Sequence, residues 1–93
     1  MKKQKVTVRN PAGLHARPAS LLVKVAVNYQ SDFFIHMYGY RINGKSILGV
    51  LTLAAEQGAE MELEVAGPDE DDAIEALVKL FESGFNEING EHG

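Results

Sequence analysis

Asn10-Pro11-Ala12-Gly13-Leu14-His15-Ala16-Arg17-Pro18-Ala19-Ser20 reads as a turn, a histidine and the opening of a helix. Pro11 fixes its own φ, and Gly13 can adopt conformations that a residue with a Cβ resists. Pro18 is tolerated in the first turn of a helix, where a missing N–H had no intrahelical acceptor. His15 is therefore expected just ahead of a helix N-terminus, where backbone N–H groups and the positive end of the dipole favour an anion. Arg17 adds a permanent cation with a fork of donors suited to phosphate. A neutral imidazole nitrogen is a nucleophile near neutral pH, and the same groups would hold the dianion of a phosphoramidate formed on it. In such transfer, positioning and charge stabilisation do most of the catalysis. On local grounds alone, a solvated histidine beside a helix start is an equally good reading.

Working outward, Lys3 to Arg9 alternates, with Val6 and Val8 between polar residues, and predicts a half-buried strand. Ala16 to about Asn28 predicts a helix with one polar stripe, Ser20, Lys24 and Asn28. Its apolar remainder is wider than a core-facing stripe requires, so Leu21 is expected to be partly exposed. Asp32–Met37 and Tyr40–Asn43 predict a hairpin turning at Tyr38-Gly39, with His36 on its outer face. Ser46 suits the N-cap of a short helix running to about Leu53. Ile47, Leu48, Val50, Leu51 and Leu53 cover every side of that helix, so Ile47, Leu48 and Leu51 are expected to form an exposed apolar patch of the kind partners use. Gly49 inside this helix implies close packing. Glu60 to Ala66 alternates, with Glu60, Glu62 and Glu64 outward and Met61, Leu63 and Val65 inward. Gly67-Pro68-Asp69 opens a last helix, with Asp69 as N-cap, Glu70, Asp71 and Asp72 in the first turn and Gly84 as the stop. Its buried face is expected to hold Ala73, Leu77, Leu80 and Phe81. Residues 86–93, including His92, are expected to fray.

The 93 residues suit one domain. Hydrophobic content of 45% and charged content of 24% are ordinary for a globular protein. With no cysteine there is neither a disulfide framework nor a thiolate metal site, and no metal or other cofactor is expected. Lys2, Lys3 and Lys5 are followed by no apolar run, so neither a signal peptide nor a membrane span is predicted. A net charge of −4 argues against general nucleic-acid binding, and the three outward glutamates argue against a sheet-based RNA binder. Helices on the apolar face of an antiparallel sheet, with Lys and Glu on the other, give a two-layer α+β sandwich. From pattern alone a ferredoxin-like arrangement is nearly as good.

Gly13-Leu14-His15-Ala16-Arg17-Pro18-Ala19 resembles the active-site motif of the HPr family, the histidine-containing phosphocarriers of the phosphoenolpyruvate:sugar phosphotransferase system. Asn43-Gly44-Lys45-Ser46-Ile47-Leu48-Gly49-Val50-Leu51-Thr52-Leu53 is similar to that family's regulatory-serine segment. The likeness runs from about Val6 to Phe85. It implies the HPr-like open-faced sandwich, four antiparallel strands in the order 1-4-2-3 with three helices on one face. It further implies a bacterial, cytoplasmic, monomeric carrier that is not itself an enzyme. In such a relay, enzyme I passes phosphate from phosphoenolpyruvate to Nδ1 of His15, which gives it to a histidine of a sugar-specific enzyme IIA. Arg17 and the Ala16 and Arg17 N–H groups would stabilise the charge. Ala16, Ser20, Leu21, Ile47, Leu48 and Leu51 would dock the partners. Ser46 would be open to an ATP-dependent kinase, HPr kinase/phosphorylase, and the product could bind a transcriptional regulator. Gly44 is unusual before Lys45-Ser46. Gly67-Pro68 and Leu80-Phe81-Glu82-Ser83-Gly84-Phe85 look like the nitrogen-related paralogue, which uses the same histidine chemistry for regulatory partners. A corepressor-type interaction module with phosphorylated Ser46 is the other alternative. The paralogue lacking the active histidine is excluded by His15.

Overall fold

Alternating side chains make the strands and a 3.6-residue period makes the helices, and the computed structural model, which describes residues 1–86, forms each element close to its predicted place. In chain order they are β1 (Lys2–Thr7), α1 (Ala16–Ala26), β2 (Asp32–Met37), β3 (Tyr40–Asn43), α2 (Ile47–Thr52), β4 (Glu60–Ala66) and α3 (Glu70–Glu82), closed by a 3-10 turn at Gly84–Asn86. The strands form one antiparallel sheet in the order β1-β4-β2-β3. Phe33, Ile35 and Met37 of β2 and Met61, Leu63 and Val65 of β4 form its buried face. Ala19, Leu22 and Ala26 of α1, Val50 of α2, and Ala73, Leu77 and Phe81 of α3 join them in one core. The α+β sandwich with an open outer face is the architecture expected.

The hairpin turns where predicted. Tyr38 (φ +54) and Gly39 (φ +80) both take positive φ between Met37 and Tyr40, the signature of a two-residue type I′ loop. Gly84 (φ +63) ends α3 as expected of a left-handed C-terminal glycine. On the outer face the register sets Lys3 opposite Glu64 and Lys5 opposite Glu62.

Several expectations are corrected. Glu64 points to the outer face but is buried, because His36 and Arg41 close over it: His36 Nε2 lies 2.6 Å from Oε1 and Arg41 Nη2 3.4 Å from Oε2. The Arg41 guanidinium sits 3.7 Å above the Phe34 ring centre. Asp69 occupies the N-cap position, yet its carboxylate makes no cap bond to α3. It accepts instead from the Gln30 and Ser31 N–H groups, each at 2.9 Å, and from the Ser31 hydroxyl. The Glu70 carboxylate, at the first helical position, accepts from the Gly67 N–H at 3.0 Å, in the loop ahead of the N-cap. Both carboxyls are held below their ordinary values, Asp69 first by the Ser31 hydroxyl and Glu70 first by the Gly67 N–H. Leu51 and Leu80 are half-buried where exposure and full burial were expected. α1 stops at Ala26, so Asn28 extends the polar stripe from the turn beyond. β1 starts and ends earlier than predicted, although Val8 still bonds Ala59 and Gly58 past its end. Of the segment expected to fray, Asn86 closes the 3-10 turn; residues 87–93, His92 among them, lie outside the described residues.

Candidate functional site: a histidine at the start of α1

Leu14 before the histidine and Pro18 and Ala19 after it are buried, whereas His15, Ala16 and Arg17 are exposed. The chain thus presents three residues between two anchors. His15 is the N-cap of α1, with extended backbone (φ −81, ψ −168). Its carbonyl accepts the Ala19 N–H at 3.0 Å, while its side chain makes no cap bond to the helix. Ala16 and Arg17 occupy the first two helical positions, whose N–H groups have no acceptor within the helix. Pro18 follows at the third, where its missing donor costs nothing. The predicted placement of His15 at a helix start, two residues before an exposed Arg17, is therefore present in the fold.

The turn ahead of His15 is held tightly. Asn10 is fully buried; its Nδ2 donates to the Gly13 carbonyl at 2.6 Å, and its own carbonyl accepts the Gly13 N–H at 3.0 Å. Gly13 takes φ +75, and a Cβ there would collide with the Ala55 carbonyl oxygen. The same oxygen accepts the Leu14 N–H at 2.9 Å. Gly13 was legible as a turn residue. The buried Asn10 amide and the partner strand of chain at Ala55 were not, since nothing local marks a contact across more than 40 residues.

Ser46 caps α2 as predicted, its Oγ accepting the Gly49 N–H at 3.1 Å. Gly49 is closely packed, as expected: a Cβ there would lie 3.2 Å from the Asn43 carbonyl oxygen. Lys45, beside it, reaches the Tyr29 carbonyl just past α1 at 2.7 Å. Ile47 and Leu48 are exposed by 39% and 74%, so a large apolar side chain does stand in water on α2. Leu51 and Leu21 are half-buried and Ala16 and Ser20 exposed, on two helices that pack together.

His36 lies on the outer sheet face against Glu64, away from this site; bonds from His36 first, then Arg41, hold the Glu64 carboxyl below its ordinary value. Among the described residues no group of three or more His, Cys, Asp or Glu could hold a metal ion, and no helix is long and apolar enough to cross a membrane. Clefts of about 300 and 320 Å³ border Lys5, His36 and Glu60, and Tyr40, Ile42 and Leu53; neither is lined by His15.

Fold and site together define a small open-faced sandwich displaying one histidine at a helix start. Residues 2–83 match the family described as the PTS HPr component phosphorylation site. The phosphocarrier protein HPr of Treponema pallidum is 46% identical over 82 residues, spanning 88% of this chain and 93% of that protein. The HPr-like protein Crh of Bacillus subtilis is 46% identical over 77 residues (83% and 91%). The phosphocarrier protein NPr of Proteus mirabilis is 38% identical over 85 residues (90% and 94%). Among solved structures, HPr from Thermoanaerobacter tengcongensis superposes with a TM-score of 0.90 at 41% identity, covering 94% of this chain and 98% of that one. A dimeric HPr from the same organism gives 0.75 at 41% identity, covering 94% and 100%. The chain belongs to the HPr family of phosphocarrier proteins.

Proposed function

We propose that His15 Nδ1 accepts a phosphoryl group from phospho-enzyme I and donates it to a histidine of enzyme IIA in sugar uptake. In each step one P–N bond breaks as another forms, so the carrier needs no cofactor and its partners bring the remaining catalytic groups. The observation that carries this reading is the exposed His15 at the N-cap of α1, two residues before Arg17. The Ala16 and Arg17 N–H groups and the Arg17 guanidinium stabilise the charge that arrives. The chain is in this reading a relay component rather than an enzyme, working in the cytoplasm as a single copy. Ala16, Ser20, Leu21, Ile47, Leu48 and Leu51 are in this reading the docking surface for both partners. The test is a reconstituted relay of phosphoenolpyruvate, enzyme I, this chain and a IIA domain. Phosphorylation of the IIA histidine should require the chain and vanish with His15→Ala; transfer through that variant would contradict the reading.

Ser46 is in this account a regulatory site for HPr kinase/phosphorylase. A phosphate there would add about two negative charges to the start of α2 and beside the exposed Ile47 and Leu48, favouring the helix while opposing apolar docking. Ser46→Asp should slow transfer from enzyme I to His15; an unchanged rate would count against the switch. The similarity to NPr favours one second reading, the nitrogen-related branch, with the same His15 chemistry and a regulatory acceptor. The similarity to Crh keeps a corepressor role for the Ser46-phosphorylated form. Offering both types of IIA acceptor to the phosphorylated chain separates the branches.

A further inference from the structure

Ala54 sits at φ +48, in the left-handed region that a Cβ disfavours. Its side chain is exposed, so no packing offsets the strain. The turn ends α2 with the Ala54 N–H donating to the Leu51 carbonyl at 3.1 Å, in a place that glycine usually fills. What it delivers is the following residue. Ala55 is buried, and its carbonyl oxygen both accepts the Leu14 N–H at 2.9 Å and fills the space a Cβ of Gly13 would need. Asn10 grips Gly13 from the other side at 2.6 Å. The residue preceding His15 is thus fixed by a carbonyl brought in from 41 positions away, while His15 itself stands exposed.

We propose that Ala54 is a positioning residue for His15: its left-handed turn aims the Ala55 carbonyl at Gly13 and Leu14 and so sets where the imidazole stands relative to the start of α1. The kinetic part rests on the phosphoryl-carrier reading; the structural part does not.

Ala54→Val places a β-branched side chain at a φ it strongly disfavours, whereas Ala54→Asn and Ala54→Gly retain the left-handed turn. Two readouts on the full-length chain decide: amide hydrogen exchange at Leu14, with Ile35 and Leu63 as controls for the fold, and single-turnover transfer from phospho-enzyme I across donor concentrations. Ala54→Val should speed Leu14 exchange and lower the saturating rate by about 10- to 100-fold, leaving the half-saturating donor concentration within about two-fold. Ala54→Asn and Ala54→Gly should match the parent. Gly13→Ala presses on the same carbonyl from the opposite side, should give the same signature, and replaces Ala54→Val if that variant does not fold. Unchanged Leu14 exchange or an unchanged saturating rate in these two variants would overturn the proposal, as would an equal loss in Ala54→Asn. If the parent accepts no phosphoryl group, the carrier reading fails. Leu14 exchange and the His15 ring nitrogen shifts then decide the positioning: moved in Ala54→Val but not in Ala54→Asn supports it, and unmoved in both overturns it.

Discussion

Gly44 shows how a single hydrogen can be required far from any chemistry. Its N–H donates to the Phe33 carbonyl at 2.8 Å, and a Cβ at this position would run into the Phe33 ring. Phe33 is among the largest fully buried side chains, so the ring has nowhere to go. Gly44→Ala should therefore lower the unfolding free energy by about 1–3 kcal/mol, the usual range for overpacking. Urea titration checks it: a midpoint equal to that of the parent would show that the ring yields freely. Only the family resemblance marked Gly44 as unusual, because the aromatic face that this turn residue meets lies eleven residues back, on β2. At His15 the opposite held: proline, glycine and arginine within a few positions carried enough local chemistry to place the histidine at a helix start before any contact was known.

At the scale of elements, α3 is tied to the rest of the molecule through its first turn. The Asp69 carboxylate holds the loop between α1 and β2 by three bonds to Gln30 and Ser31, and Lys2 Nζ approaches Asp71 at 3.3 Å. Because these donors stabilise its charged form, Asp69 titrates below the usual aspartate range in the folded chain. A carboxyl lowered on folding adds stability above its unfolded value, near pH 4, and loses it as the pH falls through the folded value. Asp69→Asn should accordingly lower Tm at neutral pH and shrink the fall in Tm between about pH 5 and pH 2. Parallel melting curves with the same acid slope as the parent would contradict this. The helix start itself was legible from Pro68, Asp69 and the acids after it. The true use of the Asp69 side chain was not, since a carboxylate's choice between its own helix and a loop 38 residues away is made by the fold. Glu64 was misread for the same reason: alternation gives the face of a sheet, not what closes over it.

For the whole molecule, the open sandwich leaves one sheet face polar and puts three helices over the other, so both His15 and Ser46 belong to helix starts. The strand order was legible only through the family resemblance; alternation and helix period alone left a ferredoxin-like arrangement open. An exposed leucine on α2 gives nothing to the core, and its presence makes sense as part of a surface that meets partners. Leu48→Glu should change stability by no more than about 0.5 kcal/mol, as is usual for exposed positions. It should nevertheless raise the enzyme I concentration needed for half-maximal phosphorylation; an unchanged value would remove Leu48 from the docking surface. The central claim is that His15 carries a phosphoryl group, and intact-mass spectrometry after incubation with phosphoenolpyruvate and enzyme I tests it most directly. The account predicts one acid-labile addition of about 80 Da on His15, absent in His15→Ala. An unmodified parent chain, or the same addition on the variant, would contradict it.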